Sequence, residues 1–144
     1  MNKKKVFTIF TLLLVVMFAS SSFALAESSQ QKKEGPTNPA KWNYISSVSV
    51  ALNITSAGKA EMDATMVAYS SVNKCKIVSK LQRYTGGQWK DVKEWTYTSN
   101  KRTAYWSDYW YVTSGYTYRL LCNFYAYNGS TLLESTQLSR TDTY

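Results

Sequence analysis

Residues 116–131, Tyr116-Thr117-Tyr118-Arg119-Leu120-Leu121-Cys122-Asn123-Phe124-Tyr125-Ala126-Tyr127-Asn128-Gly129-Ser130-Thr131, decide the fold. Tyr118, Leu120, Cys122, Phe124 and Ala126 recur with a period of two, which places all five on one side of an extended chain. The stretch closes on Asn128-Gly129, a strong hairpin signal. Residues 116–127 therefore read as one long strand, and residues 131–138 as its antiparallel return.

Upstream the same alternation repeats. Val48, Val50, Leu52 and Ile54 alternate with Ser47, Ser49, Ala51 and Asn53, and after Ser56-Ala57-Gly58 the pattern resumes as Ala60, Met62, Ala64, Met66 and Ala68. These two strands form a hairpin. A third strand, residues 74–84, turns Cys75, Ile77, Ser79 and Leu81 to one side and Lys76, Val78, Lys80 and Gln82 to the other. Thr85-Gly86-Gly87-Gln88 leads into a fourth strand over residues 89–97, because glycine supplies the positive φ of a tight turn. After the break at Ser99-Asn100-Lys101 a fifth strand covers residues 103–112, and Thr113-Ser114-Gly115 forms the next corner. Seven short strands with no helical segment predict an all-β fold, a seven-stranded antiparallel two-sheet sandwich rather than a closed barrel, over residues 42–144.

Residues 1–26 read as a secretory signal peptide: Lys3, Lys4 and Lys5 form a basic start, Val6 to Ala19 an apolar stretch, and Ala24-Leu25-Ala26 a cleavage site. At about 14 residues the apolar stretch is too short to span a bilayer, which needs roughly 20. The expected product is exported, with no transmembrane anchor in the mature chain. Residues 27–41 are polar, contain both prolines and show no apolar period, so they read as a disordered spacer. The net charge of +8 falls to +5 once the three lysines of the signal peptide are removed. That excess suits an anionic envelope polymer or headgroup. Nucleic acid is not expected, since after the signal peptide no basic cluster exceeds Lys32-Lys33.

The chain has two cysteines, Cys75 and Cys122. Export permits a disulfide, and a pair with no leftover thiol fits one; the alternative is two inert buried thiols. Both positions share parity with core residues, and in an immunoglobulin or fibronectin type III topology the third and sixth strands are neighbours, so a Cys75–Cys122 bridge is expected.

The segment Tyr111-Val112-Thr113-Ser114-Gly115-Tyr116-Thr117-Tyr118-Arg119-Leu120 is similar to the corner of fibronectin type III modules, where glycine precedes an alternating Tyr-x-hydrophobic strand. The likeness implies that Tyr118 is a tyrosine-corner residue with its hydroxyl bonded back to the chain. A bridge between adjacent strands departs from the inter-sheet bridge of antibody domains and favours a fibronectin-like or divergent immunoglobulin-like module. More broadly, the run from Tyr44 to about Leu138, with YISSVSV, LQRYTGGQW and SGYTYRL as landmarks, resembles small secreted proteins of Bacillota in a domain-of-unknown-function family. That resemblance carries no activity with it.

The absence of histidine removes Ser-His-Asp and Cys-His nucleophiles, imidazole bases and His-ligated zinc. There is no G-x-S-x-G elbow, and Gly86-Gly87 lacks the helix and G-K-[ST] pattern of a phosphate loop. Glu61 and Asp63 share one strand face about 7 Å apart, the minimum set for glycoside hydrolysis. Nothing nearby raises one above the other, so they read as a solvated face. Asn53-Ile54-Thr55 and Asn128-Gly129-Ser130 match a glycosylation sequon incidentally. No enzyme, cofactor or metal is expected.

Aromatic residues are the informative excess. Five Trp and 12 Tyr all follow the signal peptide. In Tyr105-Trp106-Ser107-Asp108-Tyr109-Trp110-Tyr111, alternation separates Trp106 and Trp110 from Tyr105, Tyr109 and Tyr111, and whichever set faces outward is a contact strip for sugar rings or other flat ligands. A second candidate surface follows from pairing the third and sixth strands, which sets Lys76, Lys80, Gln82 and Tyr84 beside Arg119, Asn123, Tyr125 and Tyr127. The candidate ligand-binding residues are thus Lys76, Lys80, Tyr84, Arg119, Tyr125 and Tyr127, with Trp106 and Trp110 from the strip. The functional expectation is a secreted, non-catalytic module that binds an anionic or glycan component of the cell envelope. The alternative is a bacteriocin-like toxin or antagonist acting at membranes.

Overall fold

The computed structural model describes residues 42–144, so the signal peptide (1–26) and spacer (27–41) read from the sequence lie outside the described residues. The strands are β1 (Ile45–Ile54), β2 (Lys59–Ala68), β3 (Lys74–Thr85), β4 (Gln88–Ser99), β5 (Thr103–Tyr111), β6 (Thr117–Asn128) and β7 (Thr131–Thr143). They form two antiparallel sheets in the orders β1-β2-β5 and β4-β3-β6-β7. This is the expected sandwich. The fourth strand pairs with β3 instead of joining β5, which sets it apart from the constant-type immunoglobulin arrangement and gives the fibronectin type III-like one.

The core is built by the alternation. Met62 and Met66 of β2, Ile77 and Leu81 of β3, and Tyr118, Leu120 and Phe124 of β6 are fully buried between the sheets. Each such side chain contributes about 1.5–3 kcal/mol by leaving water. Ile45 joins them from the wrong parity because β1 has a bulge between Ile45 and Ser47, which swings it inward. The Tyr118 hydroxyl donates to the Thr113 carbonyl (2.8 Å) and accepts from the Thr113 N–H (3.1 Å), which is the tyrosine corner that the fibronectin likeness implied.

Two details differ from the sequence reading. At Asn128-Gly129 the loop residues are Gly129 and Ser130, with Asn128 paired to Thr131; only Gly129 has positive φ (59°), the pattern of a II′ turn. β7 also runs to Thr143, five residues beyond 138. Its extra length carries no apolar period because its inward side chains are polar and cross the gap to the edge of β1. Glu134 accepts from the backbone N–H groups of Asn43, Tyr44 and Ile45 at 3.1, 2.9 and 2.7 Å, and Asp142 accepts from the Ile54 N–H at 2.7 Å. These two carboxylates fasten both ends of β1, which also occupies the hydrogen-bonding edge of an exposed outer strand.

The expected disulfide is corrected. Both cysteines are free and buried. β3 and β6 are neighbours as expected, but Cys75 pairs with Ala126 and Cys122 with Ser79. Four residues of strand separate the thiols, about 14 Å, whereas a bridge needs Cα atoms within about 7 Å. Same-face parity is necessary for such a bridge, but register decides it. Burial raises the Cys75 thiol and pushes Cys122 up to about 11, against the opposing effect of the Ser79 hydroxyl 3.4 Å from its sulfur.

Both thiols should therefore ignore an aromatic disulfide reagent at mildly alkaline pH in the native protein and react after denaturation, while reductant leaves the melting temperature unchanged. Replacing Glu134 with Ala leaves three N–H groups without their acceptor, and urea unfolding should register a loss of about 2 kcal/mol.

Candidate functional site

The outer face of the four-stranded sheet holds the residues singled out from the β3–β6 pairing, but it divides into three regions. At one end Arg119 lies over the Trp89 ring (4.4 Å), and Trp89 stacks at a tilt against Tyr84 (5.1 Å). The guanidinium donates twice to Gln82 Oε1, from Nε at 3.0 Å and Nη2 at 2.6 Å, and Gln82 Nε2 donates to Asp91 at 2.6 Å. A bulge in β4 makes this chain possible: Leu81 pairs with Lys93 and Gln82 with Asp91, so Val92 is the extra residue and Asp91 comes opposite Gln82.

The middle is neutralised. Lys80 is bonded to both Asp91 (2.9 Å) and Glu94 (3.0 Å). The Asp91 hydrogen bond is the main reason the Lys80 ammonium is held above its ordinary range; Gln82 first and Lys80 second hold Asp91 below the usual carboxylate range. The sequence reading took Lys80 as a free cation because it considered β3 and β6 without the fourth strand. The carboxylates of β4 cancel it.

The far end keeps its charge. Lys74 stands opposite Tyr127 and Lys76 opposite Tyr125, with the ammonium groups 4.7 and 5.8 Å from the ring centroids. Neither lysine has a carboxylate partner among the described residues. The backbone beneath is fixed: Asn73 donates from Nδ2 to Asn128 Oδ1, and its own Oδ1 accepts from the Gly129 N–H, both at 2.9 Å. Leu132, half exposed, follows Tyr127 across the β6–β7 pairing. Lys74 was missed in the sequence reading because it sits at the start of its strand, where the alternation had barely begun.

The aromatic strip resolves the other way from the tryptophans. Trp106 is 8% exposed and packs against Trp95 at 5.5 Å, so it is a core residue and is withdrawn from the ligand-binding set. Trp110, on the same side of β5, reaches the rim of the sandwich: it is 40% exposed, contacts Trp95 edge-on, and has Lys93 5.2 Å from its ring. The outward set is Tyr105, Tyr109 and Tyr111. The two carboxylates of β2 lie beside them. Glu61 is paired with Lys59 at 2.9 Å, which keeps it below the usual carboxylate range, the opposite of what a general acid requires. Among the described residues no three His, Cys, Asp or Glu side chains stand close enough to hold a metal ion.

No protein-family model matches the chain, and no curated protein matches it.

Trp106→Ala should cost about 3–5 kcal/mol in urea unfolding, as emptying a core aromatic site does. Tyr109→Ala, on the same strand but facing outward, should change stability by less than about 1 kcal/mol.

Proposed function

We propose that the protein is an exported, non-catalytic binding module for an anionic, sugar-containing polymer of the cell envelope, engaged by the Lys74, Lys76, Tyr125 and Tyr127 corner. Export follows from the signal-peptide reading and from the resemblance to small secreted proteins. The observation that carries the ligand class is the pair of lysines that lie over tyrosine rings without a carboxylate to neutralise them. Ammonium groups in that state bind phosphate or carboxylate groups with charge-assisted hydrogen bonds, while the tyrosines and Leu132 offer flat apolar surface to the sugar between them. Lys80, already paired twice, adds little, and Arg119 is committed to Gln82 and Trp89.

The test is sedimentation of the mature protein with isolated cell walls at low and high salt, with and without their anionic polymers. Binding should fall as salt screens the lysines and vanish with the polymers. The double substitution Lys74→Glu with Lys76→Glu should weaken it by about tenfold or more at unchanged melting temperature. Binding that survives this substitution would discard the corner, and leakage of dye from anionic vesicles would favour the membrane-active reading instead.

A further inference from the structure

The opposite face of the sandwich has different chemistry. On the outer side of the three-stranded sheet, Tyr105, Tyr109 and Tyr111 are 61, 53 and 65% exposed, so none is needed by the core. Across the β2–β5 pairing Tyr111 stands opposite Lys59, Tyr109 opposite Glu61, Ser107 opposite Asp63 and Tyr105 opposite Thr65. Ser107 is the small residue in this row. The dip it leaves beside Tyr109 is part of a groove of about 430 Å³ lined by Lys59, Glu61, Asp63, Ser107, Asp108 and Tyr109, and Tyr105 stands two residues beyond Ser107 on the same face of β5.

The aromatic wall, Tyr109, and its neighbour on the face, Tyr105, are both held in place before any ligand arrives. The Tyr105 hydroxyl donates to Asp63 Oδ1 at 2.8 Å. Tyr109 has the Lys59 ammonium 4.8 Å from its centroid and Tyr111 edge-on at 6.0 Å. Fixing these side chains in advance reduces the ordering cost of binding. Between them the available polar groups are mostly acceptors. Asp63 uses one oxygen for Tyr105 and keeps its second, whereas Asp108, which shares the parity of Trp106 and Trp110, bonds the Tyr109 N–H at 2.8 Å from the other side of the strand. Ionised carboxylates accept only, so the matching ligand donates.

Charge narrows the class further. The groove carries three carboxylates against one ammonium, and that ammonium is already bonded to Glu61. A phosphate or uronate would be repelled here, unlike at the lysine corner of the other sheet. We propose that this groove is a second binding site, for a neutral saccharide chain whose apolar ring faces stack on Tyr109 and, beyond the groove on the same face, on Tyr105, and whose hydroxyls donate to Asp63. The inference does not depend on the lysine corner, since the two sites lie on different sheets and recognise opposite chemistry.

The experiment is titration of the isotopically labelled mature protein with cellohexaose, chitohexaose, xylohexaose, mannohexaose and maltohexaose, read by amide chemical shifts. At least one of these neutral probes should shift the signals of Asp63, Ser107 and Tyr109, with an affinity that is the same at low and high salt. Tyr109→Ala and Asp63→Ala should each weaken that affinity by about tenfold or more, with the rest of the spectrum unchanged; Tyr109→Phe, which keeps the ring, should retain it. Lys74→Glu with Lys76→Glu should leave saccharide binding intact while weakening polymer binding. No shift with any probe, shifts that map elsewhere, or binding that survives both alanine substitutions would overturn the proposal. So would a preference for partially deacetylated chitosan that disappears in salt, which would make the ligand cationic.

Discussion

The pairing of β3 with β6, from Lys74 opposite Tyr127 to Arg83 opposite Tyr118, is the constraint on which the rest of the molecule depends. It joins the two most regularly alternating strands at the centre of the larger sheet. With a side-chain period of two, a slip of one residue in either strand would exchange its core face for its solvent face. In the observed register Ile77 meets Phe124 and Leu81 meets Leu120 on the buried side, while lysines meet tyrosines on the other. One hydrogen-bonding pattern thus sets both the packing of the interior and the composition of an outer surface.

The remaining strands are attached by different means. β2 brings a row of alanines and methionines that fits closely against the β3–β6 face, and Trp95, Trp106 and Trp110 close the side where β4 and β5 approach. On the other side, closure is polar. β7 spans the gap with carboxylates aimed at the backbone of β1, so its inner row satisfies N–H groups where an apolar row would have left them bare. A sandwich with an apolar centre and one hydrogen-bonded seam needs fewer large apolar residues than a uniformly packed one.

Most of the fold was legible because burial on one side of a strand imposes alternation, and that alternation runs through β2 and β6, through β3 as far as Leu81, and through β1 from Val48 onward. The architecture and the inward set of β6 follow from it, while the tyrosine corner was implied by the likeness of the Gly115–Tyr118 segment to fibronectin type III modules. What escaped reading are features that depend on which residue lies opposite which. The thiols at Cys75 and Cys122 have the right parity, yet their four-residue offset is a property of register. Asp91 reaches Gln82 and Lys80 only because Val92 bulges from β4, and a bulge leaves no mark in the composition of the strand. Glu134 and Asp142 look like ordinary surface acids until β1 is placed beside them. For the aromatic run on β5 the sequence separated the two faces correctly, but only packing against Trp95 determines that Trp106 turns inward and the tyrosines outward.

The spacing of the two buried sulfurs has a consequence for how the chain matures. No covalent cross-link closes this sandwich; its stability rests on buried apolar surface, backbone pairing and the carboxylate fastenings alone. Folding therefore requires no oxidant, no thiol exchange and no selection among pairings, and it proceeds to the same structure whatever the thiol potential of its surroundings. A change of compartment, or a swing between reducing and oxidising conditions, leaves the architecture untouched.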